Sequence, residues 1–428
     1  MLFERISLID RDYQALSEMY VGTRGDRIAY IGKEAPAGDF GERYDGRGKL
    51  LIPGLVNIHT HSPMTLLRGY GENMALRDWL NKLIFPFEAK LNSSDIYWAF
   101  QLAIAEMVRY GTVSCTDMYY FGGSMARAVI DAGFKANISD SVTCFDDRDY
   151  RKLPIYQETL DTYSAWHGAG DGRLRLDLSV HAEYTSTPKV VAAVAEHCAQ
   201  LGLRAHIHLA ETQKEQVECL ARHGLTPAAY FERLGIFDHP TTAAHCVWCT
   251  GEDLDILARH GVTIANNPVS NLKLASGFCP VPAALSKGIN IGLGTDSVAS
   301  NNNLNLFEEM KLFATLNKTL AGDPCLITPA QALAAATVNG ARSQGRTDSG
   351  LIAEGFKADL AVLDLAGPSM TPCHNLLYNL VYSASGSDIC LTLVDGRVLY
   401  RDGQWPTLDI ERIYAEVENS RQRILREL

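Results

Sequence analysis

The sequence predicts an α/β fold: a (β/α)8 barrel with a second, small β-sandwich domain built from both chain ends. Three observations carry that prediction. The middle of the 428-residue chain alternates strand-like apolar runs with helical stretches, and the strand-like runs number eight. That alternation and that count belong to a parallel barrel wrapped in helices. Both chain ends instead carry short β segments broken by glycine turns. The length also suits one barrel of about 250 residues plus a smaller partner.

Taken in order, residues 6–9, 20–22, 28–31 and 50–52 read as strands. Arg24-Gly25-Asp26 and Asp45-Gly46-Arg47-Gly48 punctuate them, which is an antiparallel texture. The eight barrel candidates are 54–61, 112–118, 136–142, 175–182, 204–211, 242–247, 262–266 and 289–296. The clearest helical period lies at 94–109, with Ile96, Phe100, Ala103, Ile104, Met107 and Val108 on one stripe. Ser93 or Ser94 is its expected N-cap, and Gly111 lies just past its end. Near the C-terminus, 359–363 and 389–394 read as strands. Asp395-Gly396 is a hairpin turn leading into 398–400, and an amphipathic helix follows at 408–428. The expected division is 1–52 with 350–428 as the sheet domain and 53–349 as the barrel.

Composition removes several function classes. Apolar residues are 46% and charged residues 21%, an ordinary globular balance that argues against disorder. The 39 Lys+Arg against 50 Asp+Glu give a net charge of −11, which disfavours a nucleic-acid binder. Mean hydropathy is −0.06, and no apolar run approaches the roughly 20 residues of a membrane span. The N-terminus lacks a basic stretch followed by an apolar one, so a cytoplasmic protein is expected. The ten scattered cysteines then read as buried reduced thiols.

The chemistry concentrates at strand ends. Asn57-Ile58-His59-Thr60-His61 closes the first barrel strand, and side chains two apart on a strand share a face, so both imidazoles can address one ion. Alone the pair is weak. His208 closes the fifth strand, His245 lies in the sixth and Asp296 ends the eighth, all on the rim where barrel enzymes place their sites. Imidazoles with a carboxylate suit a borderline divalent ion: Zn2+, with Fe2+, Mn2+ or Ni2+ also compatible. His206 comes earlier in its strand and is expected to pack behind the site. His181 ends the fourth strand on the same rim, where a core role and a substrate-facing role are equally open. The remaining histidines, such as His197 and His260, read as structural or solvated. Two motifs mislead. His181-Ala182-Glu183 and Cys246-Val247-Trp248-Cys249 imitate the H-x-E and C-x-x-C of small zinc base deaminases. The residue before Cys246 is His245 where that motif wants proline, and the two halves lie far apart.

Pro53-Gly54-Leu55-Val56-Asn57-Ile58-His59-Thr60-His61 resembles the amidohydrolase signature, and Pro63-Met64-Thr65-Leu66-Leu67-Arg68-Gly69 resembles its 5′-methylthioadenosine/S-adenosylhomocysteine deaminase branch, close to the s-triazine hydrolases. Further blocks at 267–277, 294–303, 336–341 and 355–360 extend the likeness over most of the chain. The resemblance implies one metal ion per subunit, held by His59, His61, His208 and Asp296. His245 then stands beside the reacting water. The stretch 175–182 has no lysine, which disfavours a carbamylated, binuclear site. Glu211, three residues after His208, would protonate a ring nitrogen, and Asp296 would take the proton from the attacking water. The implied reaction is hydrolytic deamination of the adenine ring of 5′-methylthioadenosine, S-adenosylhomocysteine, 5′-deoxyadenosine or adenosine.

Glu88 matches the branch carboxylate that grips the ribose hydroxyls, Trp79 an aromatic near the sugar or its 5′ group, and His181 a ring contact. Asp140 stands where an arginine is expected in some relatives. With Arg148 and Arg151 just beyond, it places recognition of a carboxylated 5′ tail in question. The resemblance further implies a homo-oligomer with a small-molecule nucleoside substrate. A guanine-type or s-triazine aminohydrolase or chlorohydrolase is the alternative, which would leave Glu88 nothing to grip. An inactive barrel used for binding expects losses among His59, His61, His208, Glu211 and Asp296, and all are present.

Overall fold

The computed structural model describes residues 1–74 and 76–428. The N-terminal part contributes β1 (Leu2–Ile9), β2 (Ala15–Arg24), β3 (Arg27–Gly32), β4 (Arg43–Asp45) and β5 (Lys49–Pro53) to a sheet. The barrel strands are β6 (Leu55–Thr60), β7 (Thr112–Tyr119), β8 (Lys135–Val142), β9 (Leu174–Leu176), β10 (Leu178–Val180), β11 (Ala205–Leu209), β12 (Thr241–His245), β13 (Thr263–Asn266) and β14 (Ile291–Leu293). The chain returns to the sheet with β15 (Leu360–Asp364), β16 (Ile389–Val394) and β17 (Arg397–Arg401).

Barrel strands pair in parallel in the order β14-β13-β12-β11-β10-β8-β7-β6, with β9 beside β8. The fourth strand, expected as one run, is split into β9 and β10 at Asp177, whose buried carboxylate turns to Asn137 Nδ2 at 3.0 Å. A parallel bridge between Thr60 and Asp296 joins the last strand to the first, with Asp296 N donating to His59 O at 2.9 Å. Barrel closure therefore runs through two of the chemical strand ends.

Strands from both chain ends form the second domain, in the order β17-β16-β15-β5-β1-β2-β3, with β4 parallel to β1. The antiparallel pair β5–β15 is the seam between the two ends. Alternate side chains divide its faces. Phe3, Ile6, Leu8, Val21, Leu360 and Leu391 build a small core on one side. Ile9, Leu50, Ile52, Ala361 and Leu363 join the large barrel core on the other. Buried Lys135 on β8 fastens the two domains, donating to Asp359 and, at 2.7 Å, to Asp395.

The helix Ser93–Arg109 packs its apolar stripe inward as the period predicts. Its N-cap is Asn92, not Ser93 or Ser94. Asn92 Oδ1 accepts from Ser94 N at 2.9 Å and Asp95 N at 3.2 Å, while the Asp95 carboxylate accepts from Asn92 N, a reciprocal pairing that no serine makes here. All ten cysteines are free thiols, with Cys325 and Cys373 exposed and the rest buried. No helix among the described residues is long and apolar enough to cross a membrane.

Candidate active site

The C-terminal rim of the barrel holds a narrow cavity of about 70 Å3. His61, His181, His208, Glu211, His245 and Asp296 line its floor, while Trp79 and Glu88 come from the helical segment 76–88 that crosses its mouth. The sequence-predicted residues are thus brought together, with two exceptions. Arg148 and Arg151 do not reach the cavity: Arg148 Nε pairs with Asp146 at 2.7 Å and Arg151 with Glu196 at 2.9 Å, both on the exposed surface. The misleading H-x-E also dissolves, since Glu183 is turned away to Arg222 at 2.5 Å and His223 at 2.8 Å.

At the cluster, His61 Nδ1 lies 2.5 Å from the Met118 carbonyl and His208 Nδ1 lies 2.7 Å from the His181 carbonyl. A carbonyl only accepts, so each Nδ1 carries a proton. The two Nε2 atoms then face each other at 3.2 Å, an arrangement that requires a cation between them or a proton on one ring. Buried His59 Nε2 has no hydrogen-bond partner. It lies 3.4 Å from Asp296 Oδ1, and His61 Nε2 lies 3.3 Å from the same oxygen. Burial opposes charge on His61, yet the Asp296 carboxylate outweighs it and lifts that imidazole to about 9. Positive charge between these groups, from a proton or a cation, is therefore favoured. Two overlapping donor sets, His59-His61-Asp296 and His59-His208-His245, each have ligand atoms within 4.8 Å of one another. An orphaned buried nitrogen, facing lone pairs and a carboxylate oxygen fit a borderline divalent ion.

Neighbouring residues hold the donors in place. His206 Nε2 meets His59 Nδ1 at 2.9 Å, behind the cluster as expected. Ser270 and Ser300 hydroxyls donate to Asp296 Oδ2 at 2.6 and 2.9 Å, leaving Oδ1 for the cluster. His245 Nδ1 pairs with Asn271 Oδ1 at 2.8 Å. The Asp117 carboxylate accepts from Thr60 Oγ1 at 2.6 Å and Ser62 N at 2.7 Å, fixing the turn that follows His61. Glu215 accepts from the Ala210 and Glu211 amides, both at 2.8 Å, and so aims Glu211. Apart from His206, these partners escaped sequence reasoning, although Asp117 shares the strand-end position that marked the others. Gly294 is required by close approach: a Cβ there would sit 2.3 Å from Asn267 Oδ1 and 2.7 Å from His59 Cβ.

The carboxyls differ in how firmly they hold a proton. Burial raises Glu211, so it holds a proton more readily than a solvated glutamate. Burial acts likewise on Asp296, but the His59 and His61 imidazoles overcome it and hold that group well below the usual range. Burial pushes Glu88 up to about 7 although Tyr119 Oη donates to Oε1 at 2.7 Å. Burial and the flanking imidazoles drop His181 to about 3, keeping it neutral. Trp79 is anchored by Nε1 donating to Gly71 O at 2.9 Å.

Residues 50–399 match the model of the amidohydrolase family. The chain is 44% identical over 87% of its length to a 5-methylthioadenosine/S-adenosylhomocysteine deaminase of Dictyoglomus thermophilum, with 87% of that protein covered. It is 41% identical over 90% of its length, and 90% of the relative's, to a 5′-deoxyadenosine deaminase of Methanothermobacter thermautotrophicus. The crystal structure of an adenosine deaminase from Xanthomonas campestris with bound zinc superimposes with a TM-score of 0.92 at 31% identity, covering all of this chain and 98% of that one.

Proposed function

The chain belongs to the amidohydrolase family, and from that membership we propose that it hydrolyses the exocyclic amino group from the adenine ring of an adenosine-type nucleoside, giving the inosine analogue and ammonia. Relatives named as deaminases of 5′-methylthioadenosine, S-adenosylhomocysteine and 5′-deoxyadenosine support the substrate class. The observation that carries it is Glu88. It shares one cavity with the histidine cluster, and among the described residues only the Tyr119 hydroxyl donates to it. A carboxylate with an oxygen to spare suits the vicinal hydroxyls of a ribose.

His59, His61, His208 and Asp296 would hold one divalent ion, with zinc best suited to this nitrogen-rich set. When bound, that ion supplies Lewis acidity and makes water a nucleophile at neutral pH. The chain's own residues do the rest. Glu211, whose hold on a proton is strengthened by burial, donates to a ring nitrogen and makes the adjacent carbon electrophilic. Asp296 receives the proton of the attacking water, with His245 steadying the developing charge. Asp296 then passes that proton to the amino group, which leaves as ammonia, while Glu211 takes the remaining hydroxyl proton as the ring carbonyl forms. Neutral His181 contacts the ring, and Trp79 covers the sugar side.

The test is ammonia release from metal-loaded protein offered 5′-methylthioadenosine, 5′-deoxyadenosine, adenosine, adenine, guanine and an s-triazine. Turnover of the nucleosides with little from adenine is the expected result. Release from guanine or the triazine alone would overturn the nucleoside reading.

A further inference from the structure

A second, wider opening of about 540 Å3 adjoins the catalytic cavity. Phe85, Glu88, Tyr120 and Ser141 line both spaces, so the two meet at these residues. Beyond that junction the wall is apolar, from Leu91, Leu153 and Ile155, and acidic, from Asp140 and Glu158. No lysine or arginine among the described residues lines it. Among the described residues no cation pairs with either acid: Asp140 accepts from Gly122 N at 2.8 Å and Thr159 Oγ1 at 3.3 Å, both uncharged donors, and Glu158 is exposed. Ser141, only 3% exposed, has a hydroxyl without a hydrogen-bond partner at the junction itself. That orphaned hydroxyl and the open wall point to a ligand passing from one space to the other.

The placement of a nucleoside follows from the reading above, on which this inference rests. With the adenine ring at the histidine cluster and the ribose hydroxyls at Glu88, the sugar stands at the junction and its 5′ carbon faces the wider space. We propose that this annex takes the 5′ substituent, and that Asp140 and Glu158 select tails ending in an amine over tails ending in a carboxylate. The apolar wall receives the alkyl or thioalkyl part of the tail. A terminal ammonium meets two carboxylates, whereas a terminal carboxylate meets like charge with no compensating cation. The unpartnered Ser141 hydroxyl is placed to bond the ribose edge or the first heteroatom of the tail.

The experiment compares kcat/KM for 5′-methylthioadenosine, 5′-(aminopropylthio)-5′-deoxyadenosine and 5′-(carboxyethylthio)-5′-deoxyadenosine, whose charged tails are similar in length. The amine-tailed nucleoside is expected to exceed the carboxylate-tailed one by about tenfold or more. Glu158→Gln, at an exposed position that should not disturb folding, is expected to shrink that ratio several-fold, and Asp140→Asn to shrink it again. Equal values for the two tails, or a ratio unmoved by both substitutions, overturns the assignment while leaving nucleoside deamination standing. Ammonia from none of the three nucleosides overturns the function reading and this inference with it.

Discussion

Ala210, His245 and Asp296 all adopt left-handed backbone conformations, with φ of 48°, 72° and 58°, where side chains other than glycine are uncommon. Each such residue costs about 1–3 kcal/mol, and three of them at strand ends of one site mean that the surrounding hydrogen bonds override local preference. Strain of that kind turns Asp296 Oδ1 towards His59 and His61. For Glu211, removal of the donated proton is the sharpest test: Glu211→Gln is expected to lower kcat about 10²–10⁴-fold with metal content, read by elemental analysis, unchanged. Glu88 gives a pH signature. Its carboxyl is held near 7, so it is neutral below that point and an anion above it. Since the ribose hydroxyls need an acceptor, KM for a nucleoside is expected to fall as pH rises through about 7. In Glu88→Gln it should stay high and flat, about 10–100-fold above the best wild-type value. The metal-site candidates were legible because a strand's two-residue period puts His59 and His61 on one face. Arg148 and Arg151 were not legible as surface residues, because their partners Asp146 and Glu196 are fixed by the path of the loop and the next helix.

Among the elements, the strands do most to position the site. The first and eighth meet through Thr60–Asp296 and through Asn57, whose side chain accepts from Thr295 N at 3.0 Å and donates to Thr295 Oγ1 at 2.7 Å. Strand β8 has a different task at its other end. Lys135 sits buried between Asp359 and Asp395 of the sheet domain, and Ser349 donates to Asp359 at 3.0 Å. Lys135→Ala leaves the buried Asp359 carboxylate without its cation, while Asp395 keeps only the longer pairing to Lys357 at 3.6 Å and Arg173 at 4.0 Å. It is expected to cost about 3–5 kcal/mol, seen as a lower urea midpoint, because stranding a buried charge costs more than the pair gains. The alternation of apolar runs made the strands readable to within a few residues. It could not reveal the break at Asp177, since that depends on Asn137 from a neighbouring strand. The Asn92 cap was missed for a related reason: two serines stood nearer the apolar stripe, and only backbone geometry separates them from the asparagine.

At the scale of the molecule, a sheet built from both chain ends packs one face against the barrel and keeps a small core on the other. The β-rich texture of both termini made that partnership visible in the sequence. Coverage of the cavity by 76–88 was less visible, because that segment's short helical turns carry no long period, and only Glu88 and Trp79 hinted at it. The central claim is hydrolytic replacement of an amino group on the ring of an intact nucleoside. One measurement addresses it most directly: metal-loaded protein is incubated with 5′-methylthioadenosine in 18O-labelled water, and the products are read by mass spectrometry. The account predicts one ammonia and one inosine analogue per turnover, with a single solvent oxygen on the ring and the glycosidic bond intact. Free adenine, or a product without solvent oxygen on its ring, would contradict it.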